Sequence, residues 1–316
     1  MKILVTGAAG FIGYTLCKSL LDDGFEVLGI DNINDYYDTA LKYARLDILG
    51  NYDNFTFNKV DISNRSELSR SFELYKPQKV VNLAAQAGVR YSIKNPYAYM
   101  DSNLIGFLNI IELCRHNLVE GFVYASSSSV YGGNKKIPFS EKDRVDKPLA
   151  LYGATKRANE LIAYSYSNLY DINTTGLRFF TVYGPWGRPD MAMYIFTKNI
   201  IDGIPIPIFN QGNMKRDFTF VNDIVNGIRS AISKNYKCEV FNLGNHKSEP
   251  LMKVVSLIEQ NLALKGVYDY KPMQMGDVPE SFADIAYSEK KLGFKPKVNI
   301  EEGIKEFIAW YLDYHK

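Results

Sequence analysis

The fold is decided by the stretch Thr6-Gly7-Ala8-Ala9-Gly10-Phe11-Ile12-Gly13. It follows an apolar run, Ile3–Thr6, that predicts a buried strand, and it opens an amphipathic segment, Phe11–Asp23, that predicts a helix. Glycines at such a junction let the backbone approach a phosphate, and the helix start offers free N–H groups and a positive dipole end. We therefore predict a dinucleotide-binding site made by Gly7, Gly10, Phe11, Ile12 and Gly13. The Gly-x-x-Gly-x-x-Gly spacing is not the commonest fingerprint, so a tight turn that binds nothing is the alternative.

The residues that follow two later strands indicate which dinucleotide is bound. Asp31 ends the second predicted strand, where a carboxylate can accept hydrogen bonds from the adenosine ribose and repel a 2′-phosphate. Asn32 follows it and carries no positive charge, so we predict NAD and not NADP. Asp61 and Ile62 follow a later strand and can contact the adenine, although Asp61 can equally cap the next helix.

Strand-like and helix-like segments alternate through the first half of the chain. This alternation is typical of an α/β protein with a doubly wound parallel sheet, whose ligands bind at the carboxyl ends of the strands. The further predicted strands are Glu26–Ile30, Phe55–Val60, Val80–Leu83, Gly121–Ala125 and Thr175–Phe180, and the further predicted helices are Ser66–Tyr75, Pro96–His116 and Leu151–Tyr170.

The composition changes after Thr181, where prolines and aromatic residues become frequent. Later segments again alternate between helix and strand: Phe218–Ala231, Glu239–Leu243, Leu251–Leu264 and Glu301–Tyr311. We predict that residues 1–180 form the dinucleotide-binding domain and that residues 181–316 form a smaller α/β domain for the substrate. Residues 218–245 are expected to return to the first sheet.

Composition excludes several classes of function. Lys plus Arg number 37 against 35 for Asp plus Glu, and a net charge of +2 gives no reason to expect a nucleic-acid or polybasic membrane partner. The three cysteines are far apart and odd in number, which argues against a disulfide framework and favours a reducing compartment. No histidine lies at ligand spacing from another, so we expect no metal. We expect a cytoplasmic protein without a membrane span.

A tyrosine and a lysine in one predicted helix carry the expected chemistry. The i, i+4 spacing places Tyr152 and Lys156 on one helix face, behind the hydroxyl-rich strand end 126–129. Lys156 can hold the nicotinamide ribose and lower the pKa of the Tyr152 phenol. That phenol can then take a proton from a sugar hydroxyl and return it, while a serine donates to the developing oxyanion. A helix-start tyrosine beside a solvated lysine is the alternative.

These features together resemble the extended short-chain dehydrogenase/reductase family. The matching motifs are the glycine stretch 6–13, Asn82-Leu83-Ala84-Ala85-Gln86, the serines before Val130-Tyr131-Gly132, Tyr152-Gly153-Ala154-Thr155-Lys156, and Arg216-Asp217-Phe218-Thr219-Phe220. The resemblance implies a Rossmann fold, bound NAD and a homodimer made through the helices at 96–116 and 151–170. Amphipathic helices pack inside monomers as well, so the dimer is an expectation from the family alone.

Within that family the chain is similar to the UDP-glucuronate 4-epimerases. The similarity lies in Asp31-Asn32-Ile33-Asn34-Asp35-Tyr36-Tyr37, Gln86-Ala87-Gly88-Val89-Arg90-Tyr91-Ser92, Gly184-Pro185-Trp186-Gly187-Arg188-Pro189-Asp190-Met191-Ala192 and Gly276-Asp277-Val278-Pro279. The resemblance implies the following roles: Tyr152 as base with Lys156 as its partner, Ser127 or Ser129 beside the reacting oxygen, Ala84, Gln86 and Asn103 along the cofactor, and Arg216 on the UDP diphosphate.

Two positions bear on which sugar is bound. UDP-glucuronate carries a C5 carboxylate, and a guanidinium fork suits a carboxylate, so Arg188 is the candidate for its partner. A local pair with Asp190 is the alternative role for Arg188. Arg90 can face phosphate, carboxylate or solvent. Thr181 stands where many UDP-glucose epimerases have Asn, which argues against UDP-glucose.

Three hypotheses follow for the function. The first is NAD-dependent 4-epimerisation of UDP-glucuronate to UDP-galacturonate through a transient 4-keto sugar. The second is 4-epimerisation of a neutral or N-acetylated UDP-hexose. The third is a dinucleotide-binding regulator without turnover, which would not need Tyr152, Lys156 and the serines together.

Overall fold

The computed structural model describes residues 1–316 and contains one large parallel sheet. Seven strands pair in parallel in the order β11-β6-β5-β4-β1-β2-β3, which confirms the predicted doubly wound α/β fold. The strands are β1 Lys2–Thr6, β2 Glu26–Asp31, β3 Phe55–Lys59, β4 Lys79–Asn82, β5 Gly121–Ser127, β6 Thr174–Phe179, β7 Thr181–Tyr183, β8 Ile206–Phe209, β9 Lys215–Arg216, β10 Phe218–Phe220, β11 Cys238–Leu243, β12 Glu249–Pro250, β13 Tyr268–Lys271 and β14 Glu280–Ser281.

Twelve α-helices connect and cover these strands. They are α1 Phe11–Asp22, α2 Ala40–Leu49, α3 Arg65–Tyr75, α4 Val89–Lys94, α5 Pro96–Tyr99, α6 Gly106–His116, α7 Leu151–Tyr170, α8 Ala192–Ile201, α9 Val221–Lys234, α10 Leu251–Leu262, α11 Ala286–Leu292 and α12 Ile300–Tyr314. The predicted helix at 96–116 is wound more widely in its middle, since a π-helical turn, Met100–Ile105, joins α5 to α6. Sequence periodicity missed α2, α4, α8 and α11. No helix is long and apolar enough to cross a membrane.

Alternating residues of the strands pack into two separate hydrophobic cores, one on each face of the sheet. Ile3 and Val5 belong to the cluster under α1 and α9, whereas Leu4 of the same strand belongs to the cluster under α3 and α6. Both faces of the sheet are therefore covered, as buried parallel sheets require. A third cluster joins α8, α10 and α12 in the C-terminal part. Strand β11 pairs with β6 in parallel at the sheet edge, and the division into domains at residue 180 remains a prediction.

A buried ion pair locks α7 onto the sheet. Both oxygens of Glu160 accept from Arg178 of β6, at 2.8 and 2.9 Å, and neither side chain is more than 3% exposed. Arg157 adds a partly exposed third contact, and the Ser126 hydroxyl donates to Glu160 at 2.6 Å. Removing one partner of such a pair leaves an uncompensated charge in the interior.

We predict that Glu160→Gln lowers the free energy of unfolding by about 3–5 kcal/mol, because Arg178 stays buried without a counter-ion. Arg157→Ala removes only the partly exposed partner and should cost less than about 1 kcal/mol. Urea unfolding of both variants measures the difference. Equal losses of unfolding free energy would show that the buried Glu160–Arg178 pair contributes no more to stability than the partly exposed contact of Arg157.

Candidate active site

The glycine loop packs closely against neighbouring backbone and leads directly into the start of α1. Gly7 has φ of +72°, and a Cβ there would lie 2.8 Å from the Ala84 nitrogen. A Cβ on Gly13 would lie 1.9 Å from the Gly7 oxygen. Gly10 precedes α1, which begins without any side-chain cap, so the first N–H groups of the helix remain available. This cradle fits the pyrophosphate of a dinucleotide.

Asp31 closes the far side of the loop. Its oxygens accept from the backbone N–H of Ala9 at 3.2 Å and of Ile33 at 2.9 Å, and the side chain is buried. Buried Lys42 of α2 lies 3.9 Å from the same carboxylate and donates to Asn34 at 2.8 Å. Sequence analysis did not identify Lys42, because charged residues on the buried face of α2 obscure the hydrophobic periodicity of this helix.

Asp61 is hydrogen-bonded to residues of its own turn and to Asn32, but it is not the helix cap that the alternative interpretation predicted. One oxygen accepts from the backbone and hydroxyl of Ser63, at 2.8 and 2.7 Å, and the other accepts from Asn32 at 2.7 Å. The N-cap of α3 is Asn64 and not Asp61. Ile62 packs in the core under Gly106. Contact of Asp61 or Ile62 with adenine remains a prediction.

Asn103 connects the end of β4 to α7. It lies in the π-helical turn, where its amide pairs with both backbone groups of Gln86, at 2.8 and 3.0 Å. It also donates to the Thr155 hydroxyl at 3.1 Å. Both amide hydrogens are therefore engaged within the protein, and Asn103 aligns the strand end that carries Ala84 and Gln86 with the helix that carries Tyr152.

The Tyr152 hydroxyl and the predicted serines meet at the carboxyl end of β5. Ser127 lies close enough to Tyr152 to lower the pKa of its phenol, and the Ser127 hydroxyl accepts from the Ser129 backbone at 3.1 Å. The Ser129 hydroxyl has no partner within the chain. This geometry favours Ser127 over Ser129 as the hydroxyl beside the base. Lys156, one turn further along α7, donates to the Ala125 carbonyl at 2.9 Å and is buried.

The charges around Tyr152 differ from the expectation drawn from spacing alone. Desolvation raises the pKa of the Tyr152 phenol, while the hydrogen bond with Ser127 and the charge of Arg188 act in the opposite direction. Lys156 was expected to lower this pKa, but in the structure its ammonium is directed to the Ala125 carbonyl. Burial lowers the pKa of Lys156 to about 8, so it is mainly cationic at neutral pH.

Arg188 lies near Tyr152 and is paired with its neighbour Asp190. Its Nε and one terminal nitrogen donate to the two Asp190 oxygens at 2.9 and 2.5 Å, as the alternative interpretation described. The Tyr36 hydroxyl donates to the same carboxylate at 3.2 Å. The other terminal nitrogen of Arg188 has no hydrogen-bond partner in the chain. That nitrogen leaves Arg188 able to engage an additional anion.

Two of the remaining predicted substrate residues, Arg216 and Arg90, lie near a second carboxylate, that of Asp277. Arg216 donates to Asp277 at 2.6 Å and to two backbone carbonyls. Arg90 is stacked over the Phe209 ring at 5.1 Å, and Asp277 is among the charges that act on it. Thr181 is the first residue of β7 and is partly exposed. The structure brings together no set of His, Cys, Asp and Glu that could hold a metal.

Comparison with known proteins decides the family. Residues 3–244 match the model of the NAD dependent epimerase/dehydratase family. The chain belongs to this family. UDP-glucuronate 4-epimerase 2 of Arabidopsis thaliana is 45% identical over 100% of this chain and 77% of its own length. An uncharacterised protein of Methanocaldococcus jannaschii is 55% identical over 99% of this chain and 96% of its own.

Among solved structures the similarity is just as extensive. UDP-glucuronic acid 4-epimerase from Bacillus cereus, crystallised with UDP-glucuronic acid and NAD, superposes with a TM-score of 0.94 at 32% identity. The match covers 99% of this chain and 100% of that chain. The predicted membership of this chain in the extended short-chain dehydrogenase/reductase family is thus confirmed.

We predict that Ser127→Ala moves the rising limb of the kcat/KM–pH profile to higher pH. The Ser127 hydrogen bond lowers the pKa of the Tyr152 phenol, so its loss raises the pH at which that phenol can act as a base. Ser129→Ala is the matched comparison. A shift in Ser129→Ala and none in Ser127→Ala would assign the role to Ser129.

Proposed function

We infer that the protein is an NAD-dependent 4-epimerase that interconverts UDP-glucuronate and UDP-galacturonate. The observation that carries this inference is the meeting of Tyr152, Ser127 and Arg188 at the carboxyl edge of the sheet that also carries the glycine loop. A proton acceptor, a hydroxyl donor and a guanidinium thereby face one space. The similarity to UDP-glucuronate 4-epimerases in sequence and structure supports the same assignment.

The reaction uses the Tyr152 phenol in two directions. We propose that Tyr152 takes the proton of the sugar 4-hydroxyl and that Ser127 donates to the oxygen that becomes the ketone. NAD, held by the glycine loop and Asp31, supplies the acceptor and donor of hydride at C4. The 4-keto sugar then presents its other face, and Tyr152 returns the proton to the new hydroxyl. No net oxidation results, so the same NAD serves successive turnovers.

Lys156 contributes charge and position. Its ammonium is fixed by the Ala125 carbonyl on the same strand that ends in Ser127. We propose that this group holds the nicotinamide ribose beside Tyr152. A cation there favours the phenolate form once the sugar closes the site to water.

We propose that Arg188 holds the C5 carboxylate of the sugar. The ketone at C4 makes the intermediate a β-keto acid, which loses CO2 when its carboxylate is free to rotate. A guanidinium that grips the carboxylate disfavours that geometry. The segment Ser128-Ser129-Val130 after β5 carries no acidic residue for a further acid–base step, which argues against decarboxylation or dehydration as the main reaction.

The other hypotheses are less well supported. A neutral or N-acetylated UDP-hexose has no carboxylate to use the unpaired nitrogen of Arg188. A regulator without turnover would not require the contact between Ser127 and Tyr152. For the UDP diphosphate we propose Arg216, which would exchange Asp277 for the phosphates on binding, together with Arg90.

We also propose a homodimer formed by α5, α6 and α7. All three helices expose large apolar side chains: Tyr97 of α5 is 77% exposed, Leu108 of α6 is 42% exposed, and Leu161 and Tyr164 of α7 are 52% and 65% exposed. Large apolar side chains exposed on neighbouring helices are typical of a protein–protein interface. Light scattering that gives the molar mass of one chain would contradict the dimer.

A cytoplasmic location is consistent with three cysteines that form no disulfide.

Tyr152→Phe tests the reaction. It removes the phenol proton while keeping the ring, so epimerisation should fall by roughly a hundredfold or more. NAD should remain bound to the purified variant, since the glycine loop is unchanged. UDP-galacturonate formed from UDP-glucuronate is measured by chromatography. Turnover close to the parent rate would remove Tyr152 from the mechanism.

Arg188→Ala tests the substrate. Loss of a charge-assisted pair in a shielded site should cost about 2–5 kcal/mol. Activity on UDP-glucuronate should then fall by more than about tenfold, and activity on UDP-glucose much less. Asp190→Asn is the control, because it releases Arg188 from its local partner and keeps the guanidinium. Parallel loss on both sugars in Arg188→Ala would make Arg188 a structural residue.

A further inference from the structure

The loop that carries Arg188 is attached to the segment that follows β2. This segment begins at Asp31 and runs to Arg45 of α2. It touches the loop 186–190 at two separate points, through Arg45 and through Tyr36. The contacts join residues 141 and 154 positions apart in sequence, so local chain geometry does not produce them.

Arg45 is the deeper of the two contacts. It has no exposed surface, and no carboxylate lies within ion-pair distance of it. One terminal nitrogen donates to the Ala9 carbonyl at 2.7 Å and to the Tyr37 hydroxyl at 2.9 Å, and the other donates to the Trp186 carbonyl at 2.6 Å. A single rigid guanidinium therefore ties the glycine loop to the backbone two residues before Arg188.

The backbone that Arg45 holds is in an unusual conformation. Trp186 has φ of +63°, which is rare for a bulky residue and persists only when its surroundings enforce it. Its ring packs against Tyr14 of α1 and against Trp310 and Tyr314 of α12, with ring centroids 5.3–5.4 Å apart. The hydrogen bond from Arg45 adds a directional constraint that aromatic packing alone does not provide.

Tyr36 makes the second contact. Its hydroxyl donates to Asp190, the carboxylate that receives two nitrogens of Arg188. Burial and the charge of Asp190 raise the pKa of Tyr36 to about 12, so this donor keeps its proton throughout the neutral range. Tyr36 thereby limits where Asp190, and with it the Arg188 fork, can lie.

We propose that Arg45 and Tyr36 are positioning residues that set the orientation of Arg188 and so determine selectivity for a sugar carboxylate. The proposal rests on the function inferred above for Arg188. Neither residue touches the sugar in this account. Arg45 fixes the backbone before Arg188, and Tyr36 fixes the carboxylate that shares its guanidinium. The segment that we expect to bind the cofactor ribose through Asp31 thus also orients Arg188, which we expect to bind the sugar carboxylate.

The test uses the ratio of dissociation constants for UDP-glucuronate and UDP-glucose, measured by calorimetry on the purified NAD-containing protein. A ratio cancels any loss of folded or NAD-loaded protein, since both ligands meet the same population. In Arg45→Gln we expect the preference for UDP-glucuronate to fall by about tenfold to a hundredfold, the range that small misplacements of a positioned group produce. NAD content, measured after denaturation, is recorded for every variant.

Tyr36→Phe keeps the ring and removes only the hydroxyl, so it gives the same readout if Arg45→Gln does not fold. We expect a fall in the same direction but smaller. Tyr43→Phe, on the exposed side of α2, is the matched control and should leave the ratio unchanged. Arg45→Lys keeps the charge without the fork and should restore little of the preference.

Arg188→Ala, measured in the same series, separates the two inferences. If it lowers the ratio while Arg45→Gln and Tyr36→Phe leave it unchanged, the positioning proposal is overturned and the carboxylate assignment stands. If Arg188→Ala itself leaves the ratio unchanged, the carboxylate assignment fails and the positioning proposal fails with it.

Discussion

The site depends on how helix α7 is fixed on the end of strand β5. Two hydrogen bonds set this relation: Lys156 donates to the Ala125 carbonyl at 2.9 Å, and Ser126 donates to Glu160 at 2.6 Å. The strand supplies the acceptor at Ala125 and the donor at Ser126, the two residues immediately before Ser127. Because the contacts lie one turn apart on α7, they determine both the height and the rotation of the helix. Tyr152, one turn before Lys156, is thereby brought to Ser127.

A second constraint is that a nearly neutral chain has to bind negatively charged groups with only a few cationic side chains. The protein carries a net charge of only +2, yet both proposed ligands carry a negatively charged pyrophosphate and the sugar adds a carboxylate. The structure concentrates a few cations and holds each near a carboxylate or carbonyl: Lys42 near Asp31, Arg188 on Asp190, Arg216 on Asp277 and Arg45 on two backbone carbonyls. Paired cations are ordered before a ligand arrives, which lowers the cost of binding it.

Those parts of the molecule that depend on local sequence could be predicted, and those that depend on distant contacts could not. The glycine loop follows from steric limits at Gly7 and Gly13, and Tyr152 and Lys156 follow from helical spacing. Helix α2 escaped prediction because Lys42 and Arg45 occupy its buried face. The contact from Tyr36 to Asp190 joins residues far apart in sequence, and no periodic pattern encodes it.

The central claim is that C4 is oxidised and reduced within a single binding event. The experiment mixes UDP-glucuronate deuterated at C4 with UDP-glucuronate that has ordinary hydrogen at C4 and carbon-13 elsewhere in the sugar. We expect UDP-galacturonate that keeps its own deuterium at C4, with no transfer between molecules and no exchange with water. Loss of the label to solvent, or inversion without any C4–deuterium bond breaking, would contradict it.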